Sequence, residues 1–156
     1  MTAAGLKITF VEPKAPGLHI WSRFRLPRLG PLMLGAALER AGHDVRVQYE
    51  QARRLDWKRL RASDLVCIST ITSTAPRAYH IADQLRARSI PVVMGGVHPT
   101  YLPDEAMRHA DYVLRGEADE TILPLVDAIE HDAGFHNVKG LTWRAESGDV
   151  IHNEAA

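Results

Sequence analysis

Apolar residues recur along the chain in two rhythms. Short runs, LKITFV (6–11), HDVRVQY (43–49), DLVCIS (64–69), IPVVMG (90–95) and DYVLRG (111–116), read as strands. Helical spacing fills most of the gaps between them. One helix is predicted over Leu29 to Ala41, stopped by Gly42, and another over Ala75 to Arg88, with Ala75, Ala78, Ile81, Ala82 and Leu85 on one face. A third has Ile122, Leu125, Val126 and Ile129 at i, i+3, i+4 and i+7. DWKRLRAS (56–63) and PDEAMRHA (103–110) read as short helices, and the proline- and glycine-rich stretch 12–31 as a long loop.

Strands alternating with helices imply βαβ units. The expected fold is therefore α/β, a doubly wound, flavodoxin-like or Rossmann-like, mostly parallel five-stranded sheet. Ligands of such sheets bind beyond the carboxyl ends of the strands, where strand order reverses. Three loops leave strand ends there with small or polar residues: STITST (69–74), GGVHPT (95–100) and GEADET (116–121). Gly95 and Gly96 raise a question. Adjacent glycines at the end of a buried strand either turn the chain or let something large lie against the backbone. The last stretch, VKGLTWRAESGDVIHNEAA, reads as a hairpin turning at AESG. A division into an α/β domain (1–135) and a hairpin extension (136–156) leading toward a further domain is expected.

Composition narrows the function. With 46% hydrophobic residues, 24% charged and a formal net charge of +0, the chain is of the soluble globular type, and no apolar run approaches a bilayer span. No secretory signal is evident, so a cytoplasmic location is expected. Basic residues crowd into residues 1–62 and acidic ones into the remainder, which fits a solvated surface or a docking face for another domain. A nucleic-acid binder would show a basic total and a recognition motif. The single cysteine, Cys67, excludes an internal disulfide and a cysteine-based metal cluster carried by this chain alone, and its place in DLVCIS is that of a core residue. No G-x-G-x-x-G follows a strand, which excludes that nicotinamide fingerprint. The third strand ends CIST rather than in aspartate, which weakens a phosphorelay receiver.

DLVCIST, then VVMGGVHPTYLPDEAMRHADYVLRGEADETILPLV, then VKGLTWRAESGDVIHN resembles the N-terminal cobalamin-binding domain of radical S-adenosylmethionine enzymes, including relatives of the anaerobic magnesium-protoporphyrin ester cyclase. LPRLGPLMLGAALERAGHDVRV adds the family's first helix and second strand. The resemblance implies a module that holds base-off cobalamin for a radical S-adenosylmethionine catalytic domain, in cis or in trans. The CxxxCxxC motif that would hold an iron–sulfur cluster is absent from this chain, so cluster and S-adenosylmethionine would belong to a downstream domain. Whether the chain is itself an enzyme is left open, and no catalytic residue is assigned. The rival reading is a fold-matched docking domain that has lost the cofactor.

The resemblance also implies a site. The nucleotide tail of cobalamin would enter between the loops after the third and fourth strands, against Gly95, Gly96, Val97 and His98. Ser69, Thr70, Ile71 and Thr72 match a Ser-x-Leu segment loosely, with Ile71 where leucine is usual. Their hydroxyls either hydrogen-bond the base and ribose or cap the next helix. Gly116 and Glu117 either close the pocket or start a helix. The Asp-x-His-x-x-Gly motif of methyl-carrying relatives is absent, since His19 stands alone in its loop, so no histidine ligand to cobalt is expected. His98 is expected to hydrogen-bond within the loop rather than to ligate a metal.

Overall fold

The computed structural model describes residues 5–17 and 27–155. The polypeptide runs β1 (Lys7–Glu12), α1 (Leu29–Arg40), β2 (Asp44–Tyr49), α2 (Trp57–Arg61), β3 (Leu65–Ser69), α3 (Ala75–Arg86), β4 (Val92–Gly95), α4 (Val97–Tyr101), α5 (Pro103–Ala106), β5 (Tyr112–Leu114), α6 (Ile122–His131), β6 (Leu141–Arg144) and β7 (Val150–His152). All seven strands form one sheet in the order β2-β1-β3-β4-β5-β6-β7. The first five pair in parallel, with Phe10 opposite Cys67, Cys67 opposite Val93 and Ser69 opposite Gly95. This is the doubly wound order expected, with its reversal between β1 and β3.

The predicted hairpin does more than extend the chain. β6 pairs antiparallel with β5, and β7 with β6, so the hairpin continues the same sheet. Leu141 and Trp143 pack on one face and Val150 on the other, which ties both faces of the hairpin to the core.

Two apolar layers cover the sheet. Alternation in β3 sends Leu65 and Cys67 to a cluster with Leu38 of α1 and Ile122, Leu125 and Val126 of α6. Val66 and Ile68 go to the opposite cluster with Leu60 of α2, Ala78, Ile81 and Leu85 of α3, and Ala106 of α5. Each fully buried Leu, Ile or Val contributes roughly 1.5–3 kcal/mol. Such side chains, 0–2% exposed in both layers, hold the strand ends in fixed register beneath the loops.

Three local details differ from expectation. α3 ends at Arg86 rather than Arg88, because Ser89 takes the left-handed conformation (φ +58°) and Ile90 N–H donates back to Leu85 O at 3.1 Å. The GGVHPT loop folds into a helical turn, α4, directly after Gly96. The STITST turn contains a 3-10 turn at Thr72–Thr74. Residues 18–26 of the predicted 12–31 loop, His19 included, lie outside the described residues. Among the described residues no helix is long and apolar enough to cross a membrane.

Candidate functional site at the carboxyl edge of the sheet

A pocket of about 150 Å³ opens at the carboxyl ends of β3, β4 and β5, on the face covered by α1 and α6. Its floor is apolar: Phe10, Cys67, Val93, Leu114 and Ile122 are each 4% exposed or less, and Leu34 of α1 closes one side. The mouth is made of small and polar residues, Gly30, Ser69, Gly95, Gly96, Gly116, Glu117 and Asp119. Five of the ten sequence-nominated residues therefore converge on one cavity: Ser69, Gly95, Gly96, Gly116 and Glu117.

The two opening glycines have separate reasons. A Cβ on Gly95 would find only Leu114 O within 4 Å, at 3.6 Å, so this residue leaves room at the pocket wall. Gly96 sits at φ +101°, where a Cβ would come within 2.5 Å of Thr70 O. Backbone proximity alone thus accounts for glycine at 96. The loops after β3 and β4 interlock there: Thr70 N–H donates to Gly95 O at 2.9 Å, and His98 N–H to Thr70 O at 3.4 Å. Thr100 extends the lock to the third loop, its hydroxyl donating to Gly96 O at 2.8 Å and accepting from Gly116 N–H at 3.0 Å.

The other nominated residues do not line the pocket. Thr70 is fully buried and its hydroxyl pairs with that of Thr74 at 2.6 Å, while Ile71 N–H donates to Thr74 Oγ1 at 3.1 Å. The Thr70 hydroxyl thus organises the turn before α3. Ile71 and Val97 point outward, 37% and 60% exposed. Thr72 is exposed and reaches His98 Nδ1 at 3.3 Å. His98 is 6% exposed, and its Nε2 lies 2.9 Å from Tyr79 Oη and 3.2 Å from Glu105 Oε1. The Tyr79 hydroxyl donates to Glu105 Oε1 at 2.9 Å, leaving its own oxygen to accept from His98. That donation, followed by the one from His98, holds the Glu105 carboxyl below its ordinary pKa, while burial and then the Glu105 carboxylate push the Tyr79 phenol up. Burial also pushes the Cys67 thiol up to about 12, which keeps it protonated in the floor.

Sequence reasoning missed the floor residues Phe10, Leu34, Val93, Leu114 and Ile122, whose apolar character made them indistinguishable from core. It also missed Arg28. Its Nε donates to the buried carboxylate of Glu12 at 2.7 Å and its Nη2 to Ser69 O at 3.0 Å, bracing the ends of β1 and β3 beside the pocket. Exposed large hydrophobic side chains follow a pattern. Among the described residues they all lie in α1, in the loop after β3, in α4 and its cap, or at the start of α6, the segments that follow β1, β3, β4 and β5. Leu29, Met33, Val97 and Tyr101, 50–80% exposed, are the most exposed of them. The carboxyl edge of the sheet is therefore apolar around a small deep hole.

A larger concavity, about 810 Å³, lies beside the end of β2 and is lined by Lys14, Arg53, Arg54, Trp57 and the Arg77–Glu50 ion pair. It is a basic surface groove formed by residues that follow β1 and β2 together with Arg77 of α3. The small pocket, where three strand-end loops meet, is the better candidate.

Comparison with known proteins agrees in placing the chain. The family described as B12 binding domain matches residues 20–126. An uncharacterized methyltransferase of Pyrococcus horikoshii is 33% identical over 80% of this chain, and the anaerobic magnesium-protoporphyrin IX monomethyl ester cyclase of Synechocystis is 29% identical over 90% of it. Those matches span 29% and 31% of the relatives' own lengths. Among solved structures, the cobalamin-dependent S-adenosylmethionine radical enzyme OxsB with aqua-cobalamin bound shares the fold, with a TM-score of 0.78, 19% identity, and coverage of 97% of this chain and 22% of that one.

Proposed function

This chain belongs to the B12-binding domain family, and on that premise we propose that its pocket holds the nucleotide tail of cobalamin in the base-off form, as the cofactor module of a radical S-adenosylmethionine enzyme. The observation that carries the proposal is the open wall at Gly95 above an apolar floor, within a ring of three interlocked strand-end loops.

The residues fit the group. A flat apolar base suits a floor of Phe10, Val93, Leu114 and Ile122, and entry of the base into that floor requires its release from cobalt. Ser69 and the backbone of Gly95 and Gly96, at the mouth of the pocket, would face the ribose. Glu117 and Asp119 at the mouth suit the amide N–H groups at the rim of the corrin. The exposed apolar rim of Leu29, Met33, Val97 and Tyr101 suits the face of a large macrocycle. When bound, cobalamin supplies a redox-active cobalt centre; this chain's residues bind, orient and shield it.

Cobalt receives no protein imidazole in this proposal. His98 has both ring nitrogens within hydrogen-bond distance of side chains and lies beside α3 and α5, across the sheet from the pocket. The catalytic domain is a separate one, in cis or in trans, in keeping with relatives more than three times the length of the matched region.

The test mixes the domain with hydroxocobalamin, removes free ligand by gel filtration and records the visible spectrum. A coloured protein fraction with a base-off spectrum is expected. Protein eluting colourless would favour a docking domain without cofactor. Electron paramagnetic resonance of the bound cobalt(II) state is expected to lack the superhyperfine splitting of an axial nitrogen, and a nitrogen triplet would overturn the statement about ligation.

A further inference from the structure

Resting on that reading, we propose that the pocket floor makes the domain selective for corrinoids whose lower base is an apolar benzimidazole-type bicycle, against corrinoids whose lower base is a purine. The two classes differ at the edge remote from the ribose, which enters first. A benzimidazole presents carbon-bound hydrogens or methyl groups there. Adenine presents ring nitrogens and an exocyclic amino group, all of them hydrogen-bonded in water.

The floor has little to offer those groups. Phe10, Leu34, Val93, Leu114 and Ile122 carry no polar side-chain atom, and Cys67 contributes only a thiol. That thiol is kept protonated by burial, which leaves a weak donor and a weak acceptor. Backbone groups at this depth are committed to the sheet, since Phe10, Cys67 and Val93 lie opposite one another in paired strands. The polar lining residues Ser69, Glu117 and Asp119 belong to the strand ends and loops at the mouth, one level above. A purine base would therefore bury its amino group without a partner, and a lost hydrogen bond of that kind weakens binding roughly 10- to 100-fold. Room alone would not discriminate, because the two ring systems are of similar size; the difference is one of hydrogen bonding.

The experiment measures equilibrium binding of three corrinoids to the wild-type domain: cobalamin, the analogue with adenine as lower base, and cobinamide, which lacks the nucleotide. Each apparent affinity is divided by the fraction of that free corrinoid already base-off, taken from its own pH titration, so that the ratio reports the pocket and not the cost of releasing the base. Cobalamin is expected to bind at least tenfold tighter than the adenine analogue. A smaller ratio, with both ligands tighter than cobinamide, overturns the selectivity and leaves the tail pocket standing. Cobinamide as tight as cobalamin, or no corrinoid retained, overturns the pocket reading itself and the selectivity with it. A folded Leu34→Asn variant, which brings an amide to the side of the floor, is expected to shrink the ratio severalfold. An unchanged ratio there overturns the assignment of selectivity to these side chains.

Discussion

Gly95 and His98 stand three residues apart and serve opposite faces of the sheet. Gly95 opens onto the α1/α6 face, where its missing side chain leaves a hollow over apolar floor residues. His98 turns to the α3/α5 side, where Thr72, Tyr79 and Glu105 surround its ring with hydrogen-bonding partners. One side of the loop is empty, the other filled. The filled side holds the backbone of the loop in place, and a loop so held keeps its other side open without collapsing. Gly96 is the pivot: its positive φ and its approach to Thr70 let one short segment satisfy both faces.

The largest effect is expected at Gly96. Gly96→Val forces a branched side chain into a positive φ and into the Thr70 backbone, and is expected to cost about 3–5 kcal/mol of stability, read by denaturant unfolding. A stable Gly96→Val protein would show that the loops are not interlocked as described. Next comes the filled side. His98→Ala leaves a cavity and removes a partner from Thr72 and Tyr79, at an expected cost of about 2 kcal/mol, seen as a lowered Tm. No loss of stability there would mean that the network does not brace the loop.

The hollow side should behave in the opposite way. Gly95→Val is expected to change stability by no more than about 1 kcal/mol, because the position allows a Cβ, and to lower cobalamin affinity at least tenfold by filling the wall. Unchanged affinity in the folded variant would remove Gly95 from the site. The smallest effect is electrostatic. Glu105 has a lowered pKa, from the Tyr79 donation first and that of His98 second, so its contribution is present above the ordinary glutamate value and lost as pH falls through the folded one. Wild type is expected to exceed Glu105→Gln in stability at neutral pH by a small margin that closes on acidification below about pH 4. A gap that is constant with pH would show that the carboxylate charge plays no part.

Much of this was legible in the sequence. Strand runs and helical spacing located all five parallel strands and the three long helices, because short apolar runs and i, i+3, i+4 faces follow from burial on a sheet. The GG pair and the GE pair marked two of the three loops that form the mouth. Other parts were hidden. A polar residue in a loop carries no mark of whether it faces ligand, solvent or its own backbone, so the sequence leaves both ligand contact and capping open for Thr70, and only the structure shows Thr70 pairing with Thr74 and His98 with Tyr79. Ile71, at the leucine position of the Ser-x-Leu resemblance, and Val97, within GGVHPT, point outward.

By itself, then, the sequence determined the βαβ rhythm, the family resemblance and the edge of the sheet where a ligand would lie, because each depends on periodicity or on residues adjacent along the chain. Only the tertiary structure decided that β6 and β7 complete the same sheet, that Arg28 braces Glu12 and Ser69, and that Phe10, Leu34, Cys67, Val93, Leu114 and Ile122 meet as one floor. Those residues come from six separate elements. An apolar side chain that packs against a neighbour and one that lines a cavity obey the same local pattern, and only the placement of the surrounding elements leaves space beside one and not the other.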